Sequence, residues 1–271
     1  MSRSRTRPRA LVTGASSGIG AAYAERLARA GYDVVLVARR RDRLEELAGR
    51  LRREGDVDAE VLDVDLTDAG ALARVEARLA GDAPFALLVN NAGFGGYRPF
   101  VEVDPNVVDD LIGVHIRAVS RLTRAALPGM VRRGEGGVIN VASLLAYSGS
   151  MPPTPLPHRA VYAGAKAFLV TFTQALAGEL SGTGVRVQVC LPGVVATEFH
   201  TVQGMDMSKR PRMTADDVVT ASLAALERGE VICIPGLDDP SMLEQLAALQ
   251  RAIFESANRQ AVARRYQPGT G

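Results

Sequence analysis

Tryptophan is missing from this 271-residue chain, and cysteine, histidine and lysine are scarce: two, three and two residues respectively. Each shortage removes a class of function. Cys190 and Cys233 both fall in apolar runs read as strands. They are expected as small buried hydrophobes, not as a disulfide framework or metal site, and reduced thiols point to the cytoplasm. With only His115, His158 and His200 present, no Cys/His or Ser/His/Asp nucleophile set competes for the chemistry. A formal net charge of +2 gives no strong field for nucleic acid. No run of about 18 apolar residues stands out, so no membrane-spanning helix is expected. Arg3, Arg5, Arg7 and Arg9 make a basic N-terminal stretch, with residues 1–8 expected as a solvated tail. No apolar segment follows it, so no signal peptide is expected. Two lysines against thirty arginines, with abundant alanine, point to a GC-rich bacterial genome.

What the chain does have is alternation. Apolar runs at 9–13, 33–38, 59–63, 85–89, 136–142, 185–191 and 231–234 are separated by helical patterns near 18–30, 41–54, 68–80, 106–132, 161–181 and 215–228. The runs are continuous, as in Val34-Val35-Leu36-Val37, which is how strands buried on both faces read. The expected fold class is α/β: one domain over 9–238 with a doubly wound parallel sheet and helices on both faces. A C-terminal helix and tail follow over 239–271. Ligands in such folds bind beyond the carboxyl ends of the strands.

Two motifs stand at such ends. Thr13-Gly14-Ala15-Ser16-Ser17-Gly18-Ile19-Gly20 follows the first strand and precedes an amphipathic stretch with Ala22, Ala24, Leu27 and Ala28. Glycines let the backbone turn tightly and approach a pyrophosphate seated on the helix N-terminus. The Gly-x3-Gly-x-Gly spacing is neither the Gly-x-Gly-x-x-Gly fingerprint nor a P-loop, and a turn that binds nothing is the plain alternative. The second motif is Tyr162-Ala163-Gly164-Ala165-Lys166. Positions i and i+4 share a helix face. An ammonium beside a phenol stabilises the phenolate and lowers a pKa that is ordinarily near 10, giving a usable general acid/base. Such pairs are common on helices, so the spacing does not establish catalysis by itself.

Taken in order, Thr13-Gly14-x3-Gly18-Ile19-Gly20, Asn90-Asn91-Ala92-Gly93, Ser143, Tyr162-x3-Lys166 and Pro192-Gly193 with Thr197 resemble the short-chain dehydrogenases/reductases. The likeness spans about residues 9–235. It implies a Rossmann-like fold and hydride transfer to or from a nicotinamide. It implies that Tyr162 gives its proton to a carbonyl oxygen and that Ser143 donates a hydrogen bond to the same oxygen. Lys166 would lower the Tyr162 pKa and bond the nicotinamide ribose. The resemblance assigns cofactor contacts to Gly14, Ser16, Ser17, Gly18, Ile19 and Gly20, to Asn91, Ala92 and Gly93, to Pro192, Gly193, Val195 and Thr197, and to Tyr162 and Lys166. Asp65 and Leu66 look like the family's adenine-contacting pair, with Asp63 the nearby alternative. The segment 197–213, with Met205, Met207 and Lys209, matches a mobile substrate lid.

After the second strand the chain runs Val37-Ala38-Arg39-Arg40-Arg41, with no acid until Asp42. An acid here would accept from the 2′-hydroxyl of NAD, whereas an arginine accommodates the 2′-phosphate of NADP. NADP(H) is therefore favoured over NAD(H), with Arg39 and Arg40 as phosphate partners; a merely solvated helix start is the alternative. His115, in Gly113-Val114-His115-Ile116, stands where the family usually has an Asn that holds a relay water. A histidine can both donate and accept, so it can replace that Asn, mark a changed relay, or simply pack. Pro152, Pro153, Pro155 and Pro157 stiffen a loop longer than the family usually has. Leu243, Leu246, Leu249 and Ile253 form an apolar stripe over 240–265, read as core or subunit contact. Val119, Leu122, Phe168 and Phe172 exceed what one sheet face needs, so a homodimer or homotetramer is expected. The substrate pocket would draw on Phe94, Leu144, Leu145, Val194, Val195, Phe199, Met205 and Met207. That suits a small-molecule ketone, aldehyde or secondary alcohol with an apolar body, such as a lipid, polyketide fragment or terpenoid. The competing readings are a non-redox dehydratase or cyclase on the same fold, and a dinucleotide-sensing protein without turnover. The intact Ser143, Tyr162 and Lys166 set argues against the sensor.

Overall fold

The computed structural model describes residues 7–81 and 83–267. The chain divides into two compact units, residues 1–235 and 236–271. The first holds seven parallel strands: β1 (Arg9–Thr13), β2 (Asp33–Ala38), β3 (Ala59–Asp63), β4 (Leu87–Asn90), β5 (Gly136–Val141), β6 (Val185–Cys190) and β7 (Ile232–Cys233). Their order is β3-β2-β1-β4-β5-β6-β7. Ala10 of β1 pairs Val34 on one side and Leu87 on the other, so the strand order reverses between β1 and β4. That reversal opens the crevice where doubly wound sheets bind ligands.

Helices cover both faces. Tyr23 and Leu27 of α1 (Gly18–Arg29), Leu44 and Leu51 of α2 (Arg41–Glu54) and Val218 of α7 (Ala215–Glu227) pack one side with Val12, Val34 and Leu36. Leu72 and Val75 of α3 (Ala69–Ala80), with Leu122 and Met130 of α5 (Val119–Arg133), pack the other with Leu11, Val35 and Leu88. Each fully buried Leu or Val contributes about 1.5–3 kcal/mol. Caps set where these helices begin: Asp68 accepts from the Ala71 amide at 2.6 Å, and Thr214 with Asp217 closes a capping box on α7.

The expected helix over 106–132 is interrupted. Between α4 (Pro105–Ile112) and α5 lies a π-helical segment, Gly113–Ala118, that carries His115. Helical periodicity does not register one extra residue in a turn, and such widenings gather at functional sites. Val119 and Leu122 are also corrected: both are buried in the chain's own core and cannot count toward a subunit face. Phe168 and Phe172 remain half-buried and stacked on each other at 5.5 Å.

By length and composition, α6 (Ala160–Glu179) passes as a membrane-crossing segment, with mean hydropathy 1.2, which the sequence reading did not register. Its buried positions include Tyr162, Lys166 and Thr173, and it packs on β6, as a core helix does. Arg9 belongs to the fold. Arg9 opens β1 and pairs with Glu60 at 3.3 Å, and Arg7 pairs with Asp56. Arg3 and Arg5 lie outside the described residues. In the second unit, α8 (Ser241–Ala257) buries none of its residues, and Leu249 and Ile253 are exposed, so that stripe is not core.

Candidate active site

Four loops meet where β1, β4, β5 and β6 end. Thr13, the last residue of β1, ties the first two together. Its hydroxyl donates to the Val89 carbonyl at 3.3 Å and accepts from the Asn91 and Ala92 amides at 2.9 and 3.0 Å. Asn91 returns a bond to the Thr13 carbonyl at 3.0 Å. The glycine turn has no slack. A Cβ at Gly20 would sit 2.3 Å from the Gly14 carbonyl oxygen, and one at Gly14 would sit 2.7 Å from Asn91 Nδ2. Ser17 stands at the N-cap of α1 but makes no side-chain bond to the first amides of that helix. Thr197 lies over the same turn, its Cγ2 3.0 Å from where a Gly18 Cβ would be. These residues fit a dinucleotide: backbone held close by glycine, a helix N-terminus facing the crevice, and cations at the end of β2.

The cations are unequally placed. Arg39 is 70 % exposed and pairs loosely with Asp65 at 3.6 Å, and Arg41 pairs with Asp63 at 3.5 Å. Arg40 instead reaches the glycine turn, donating to Ser16 Oγ at 3.0 Å and Ser17 Oγ at 2.7 Å. Asp65 accepts from the Thr67 amide and hydroxyl, and Leu66 is buried beside it.

Ser143 follows β5, and the loop beyond it is fixed by the Leu144 amide, which donates to the Pro192 carbonyl at 3.0 Å. This contact joins the serine loop to Pro192-Gly193, which follows β6. On α6, Tyr162 and Lys166 are both buried. A polar ladder seats that helix: Asn90 donates to Asn140 at 2.9 Å, Asn140 to Thr173 at 2.9 Å, and Asn90 also to Thr123 at 3.1 Å. The Lys166 amine donates to the Val141 carbonyl at 2.8 Å and stands 5.6 Å from the centre of the Tyr162 ring. Burial lowers its pKa to about 7. Burial raises the Tyr162 phenol to about 12, against the pull of bonds with Ser143 and Tyr97. The downward pull on the phenol in the cofactor-free chain comes from the hydroxyls of Ser143 and Tyr97. Tyr97 was missed altogether. Its ring meets Tyr162 edge-on at 5.3 Å, and burial followed by the Tyr162 contact raises its own pKa. The signal available was Gly95-Gly96-Tyr97 just past the Asn-Asn-Ala-Gly motif; a Cβ at Gly95 would collide with the Tyr97 ring.

His115 closes the back of this cluster, edge-on to Tyr162 at 5.4 Å. Its Nε2 lies 2.8 Å from the Phe94 carbonyl and 3.4 Å from the Phe94 amide; a carbonyl can only accept, so the shorter contact assigns the proton to Nε2. Nδ1 is then a buried acceptor without a hydrogen-bond partner among the described residues. A Cβ at Gly93 would lie 2.1 Å from the imidazole, so glycine there makes room for the ring. Phe199 approaches Tyr162 at 6.3 Å, Leu144 is exposed toward solvent, and Val195 bridges to Met213 through backbone.

A family model described as short chain dehydrogenase matches residues 8–207. The chain belongs to the short-chain dehydrogenase family. It is similar to a short-chain dehydrogenase from Sphingobium yanoikuyae solved in complex with NADPH, at 37 % identity and TM-score 0.90 over 96 % of this chain and 100 % of that one. It is also similar to a bulky-bulky ketone specific alcohol dehydrogenase from Comamonas testosteroni, at 34 % identity and TM-score 0.86 over 96 % and 99 %. The very-long-chain 3-oxoacyl-CoA reductase of Bos taurus is 36 % identical over 72 % of this chain, a stretch covering only 61 % of that relative.

Proposed function

We propose that this short-chain dehydrogenase is an NADP(H)-dependent ketoreductase acting on carbonyl compounds with a large apolar body. The observation that carries this reading is the meeting of Ser143, Tyr97 and Lys166 around the buried Tyr162 phenol, beside a turn whose serines are held by Arg40. Bound NADPH would supply the hydride, and the chain's own groups do the rest. Ser143 and Tyr162 point hydroxyl donors at one carbonyl oxygen, and the Tyr162 proton passes to it. Tyr97 donates to the oxygen of the phenolate that forms, and Lys166 holds the ribose side. Gly14, Gly18 and Gly20 let the pyrophosphate approach, with Asn91 to Gly93 and Pro192 to Thr197 lining the nicotinamide half.

Phe94, Leu144, Phe199 and the lid methionines favour an apolar substrate. A bulky-ketone dehydrogenase and a long-chain 3-oxoacyl reductase among the relatives support that choice. Mixing the protein with NADPH and a ladder of ketones of rising apolar bulk, and following cofactor absorbance, tests it. Turnover confined to small polar sugars would overturn the substrate class. For the cofactor, Arg40→Ala should weaken NADPH binding about tenfold, the range for losing a hydrogen bond to a charged group, and leave NADH binding unchanged. Arg39→Asp should matter less, because Arg39 is the more exposed. An equal loss for both cofactors after Arg40→Ala would refute a phosphate role.

We propose a cytoplasmic homodimer or homotetramer, supported by Phe168 and Phe172 of α6, which stack on each other and stay half-buried although they border the chain's own core. Light scattering at micromolar concentration should give a multiple of 28.7 kDa, and a monomeric mass would rule it out.

A further inference from the structure

The Arg40 cluster next to the glycine turn also holds a carboxylate of the chain's own, which the cofactor reading above does not use. Arg40 and Arg43 converge on the carboxylate of Glu198, with nitrogen–oxygen distances of 2.5 and 2.6 Å. The same Arg40 guanidinium holds Ser16 and Ser17 on its other edge, at 3.0 and 2.7 Å. Two guanidinium forks and two hydroxyls at the end of β2 are a donor set for a phosphate rather than for a lone carboxylate. Two positive charges face one negative charge, so the cluster keeps a surplus that a phosphate dianion would use more fully. The neighbouring arginines are engaged elsewhere, Arg39 with Asp65 and Arg41 with Asp63. Glu198 sits one residue after Thr197, which covers Gly18, and it opens the 198–213 segment that carries the half-buried Met205 and Met207. Bonds from Arg43, Ser17 and Arg40 outweigh burial and hold the Glu198 carboxyl at about 2, so it stays an anion at any working pH.

We propose that Glu198 is an internal stand-in for the 2′-phosphate of NADP(H): it occupies the Arg40–Arg43–Ser16–Ser17 site until the cofactor displaces it, which sets cofactor preference and frees the lid at the same time. The inference rests on the NADP(H) reading above and goes further, because it gives a residue of the lid a role in cofactor choice. The displaced carboxylate is partly exposed, as are both arginines, so the competition is modest rather than prohibitive.

The test uses 2′,5′-ADP and 5′-AMP, which differ only in the 2′-phosphate, in calorimetric titrations of the whole protein. Unaltered protein should bind 2′,5′-ADP more tightly than 5′-AMP. If it does not, the NADP(H) reading fails together with this proposal. Glu198→Gln should tighten 2′,5′-ADP about fivefold, the equivalent of releasing a partly exposed ion pair, and leave 5′-AMP unchanged. Glu198→Ala should do the same, which excludes new bonds made by the amide. If 2′,5′-ADP is preferred by the unaltered protein but binds no more tightly, or more weakly, in both variants, Glu198 is a clasp and not a competitor; the NADP(H) reading then stands and this proposal falls. Trypsin supplies a second readout at Lys209, the exposed lysine of the lid. Adding 2′,5′-ADP should speed cleavage there in the unaltered protein, whereas in Glu198→Gln cleavage should already be fast without it. Cleavage indifferent to both changes would refute the coupling to the lid.

Discussion

Tyr162→Phe should lower ketone turnover by about 10²–10⁴-fold, the usual contribution of a positioned general acid. The ring would remain, so its edge contacts with Tyr97 and His115 and the seating of α6 should survive, and NADPH should bind as before. The phenol sits at about 12 in the cofactor-free protein, so at neutral pH it carries the proton that reduction consumes. The reverse reaction, alcohol oxidation, needs that proton gone and should accelerate with rising pH. Tyr162→Phe should abolish this rise along with the rate. Near-full activity in the variant, measured with NADPH binding checked in parallel, would remove Tyr162 from the chemistry and with it the ketoreductase reading.

The parts of the site visible in the sequence are those whose residues lie close together in it. Strand–helix alternation gave the doubly wound sheet, because a strand buried on both faces must be apolar throughout. Gly14, Gly18 and Gly20 could be read because a tight turn restricts residue type locally, and Tyr162 and Lys166 because one helical turn separates them. What the sequence hid depends on distance along the chain. Glu198 meets Arg43 across 155 positions, and Tyr162 of α6 meets Tyr97 of the loop after β4, a pairing that periodicity does not encode. The ladder from Asn90 through Asn140 to Thr173 likewise joins residues that look, one by one, like ordinary strand-end and helix polars. Val119 and Leu122 were misplaced for a related reason. Helical spacing shows that an apolar face exists, but not whether the sheet or another subunit covers it. Spacing shows that Lys166 is near Tyr162 but says nothing about burial, which raises the phenol and lowers the amine in the cofactor-free chain.

His115 is where this chain departs from its family, and replacing it should separate a relay from simple packing. The ring is fully buried and lies near Lys166; both circumstances push its pKa well below 6.5, burial most, and it is therefore neutral at pH 7 with Nδ1 as acceptor. If Nδ1 orders the water that passes protons toward Lys166, His115→Asn should keep much of the rate, since an amide oxygen can accept in the same place. His115→Ala should cost up to about 10²-fold, the scale of a misplaced reacting group. The pH dependence has a definite sign. In the unfolded chain His115 protonates near 6.5, whereas in the fold it resists protonation. Between the two values the unfolded state binds the extra proton, so stability falls as the pH drops below about 6.5. His115→Asn should remove that acid-side loss from thermal melts. In activity profiles, any acidic limb owed to the imidazole should lie well below 6.5 and vanish in the same variant. If His115→Ala and His115→Asn match the unaltered protein in rate and pH profile while the melts still change, the imidazole is packing alone and the proton path runs through other groups.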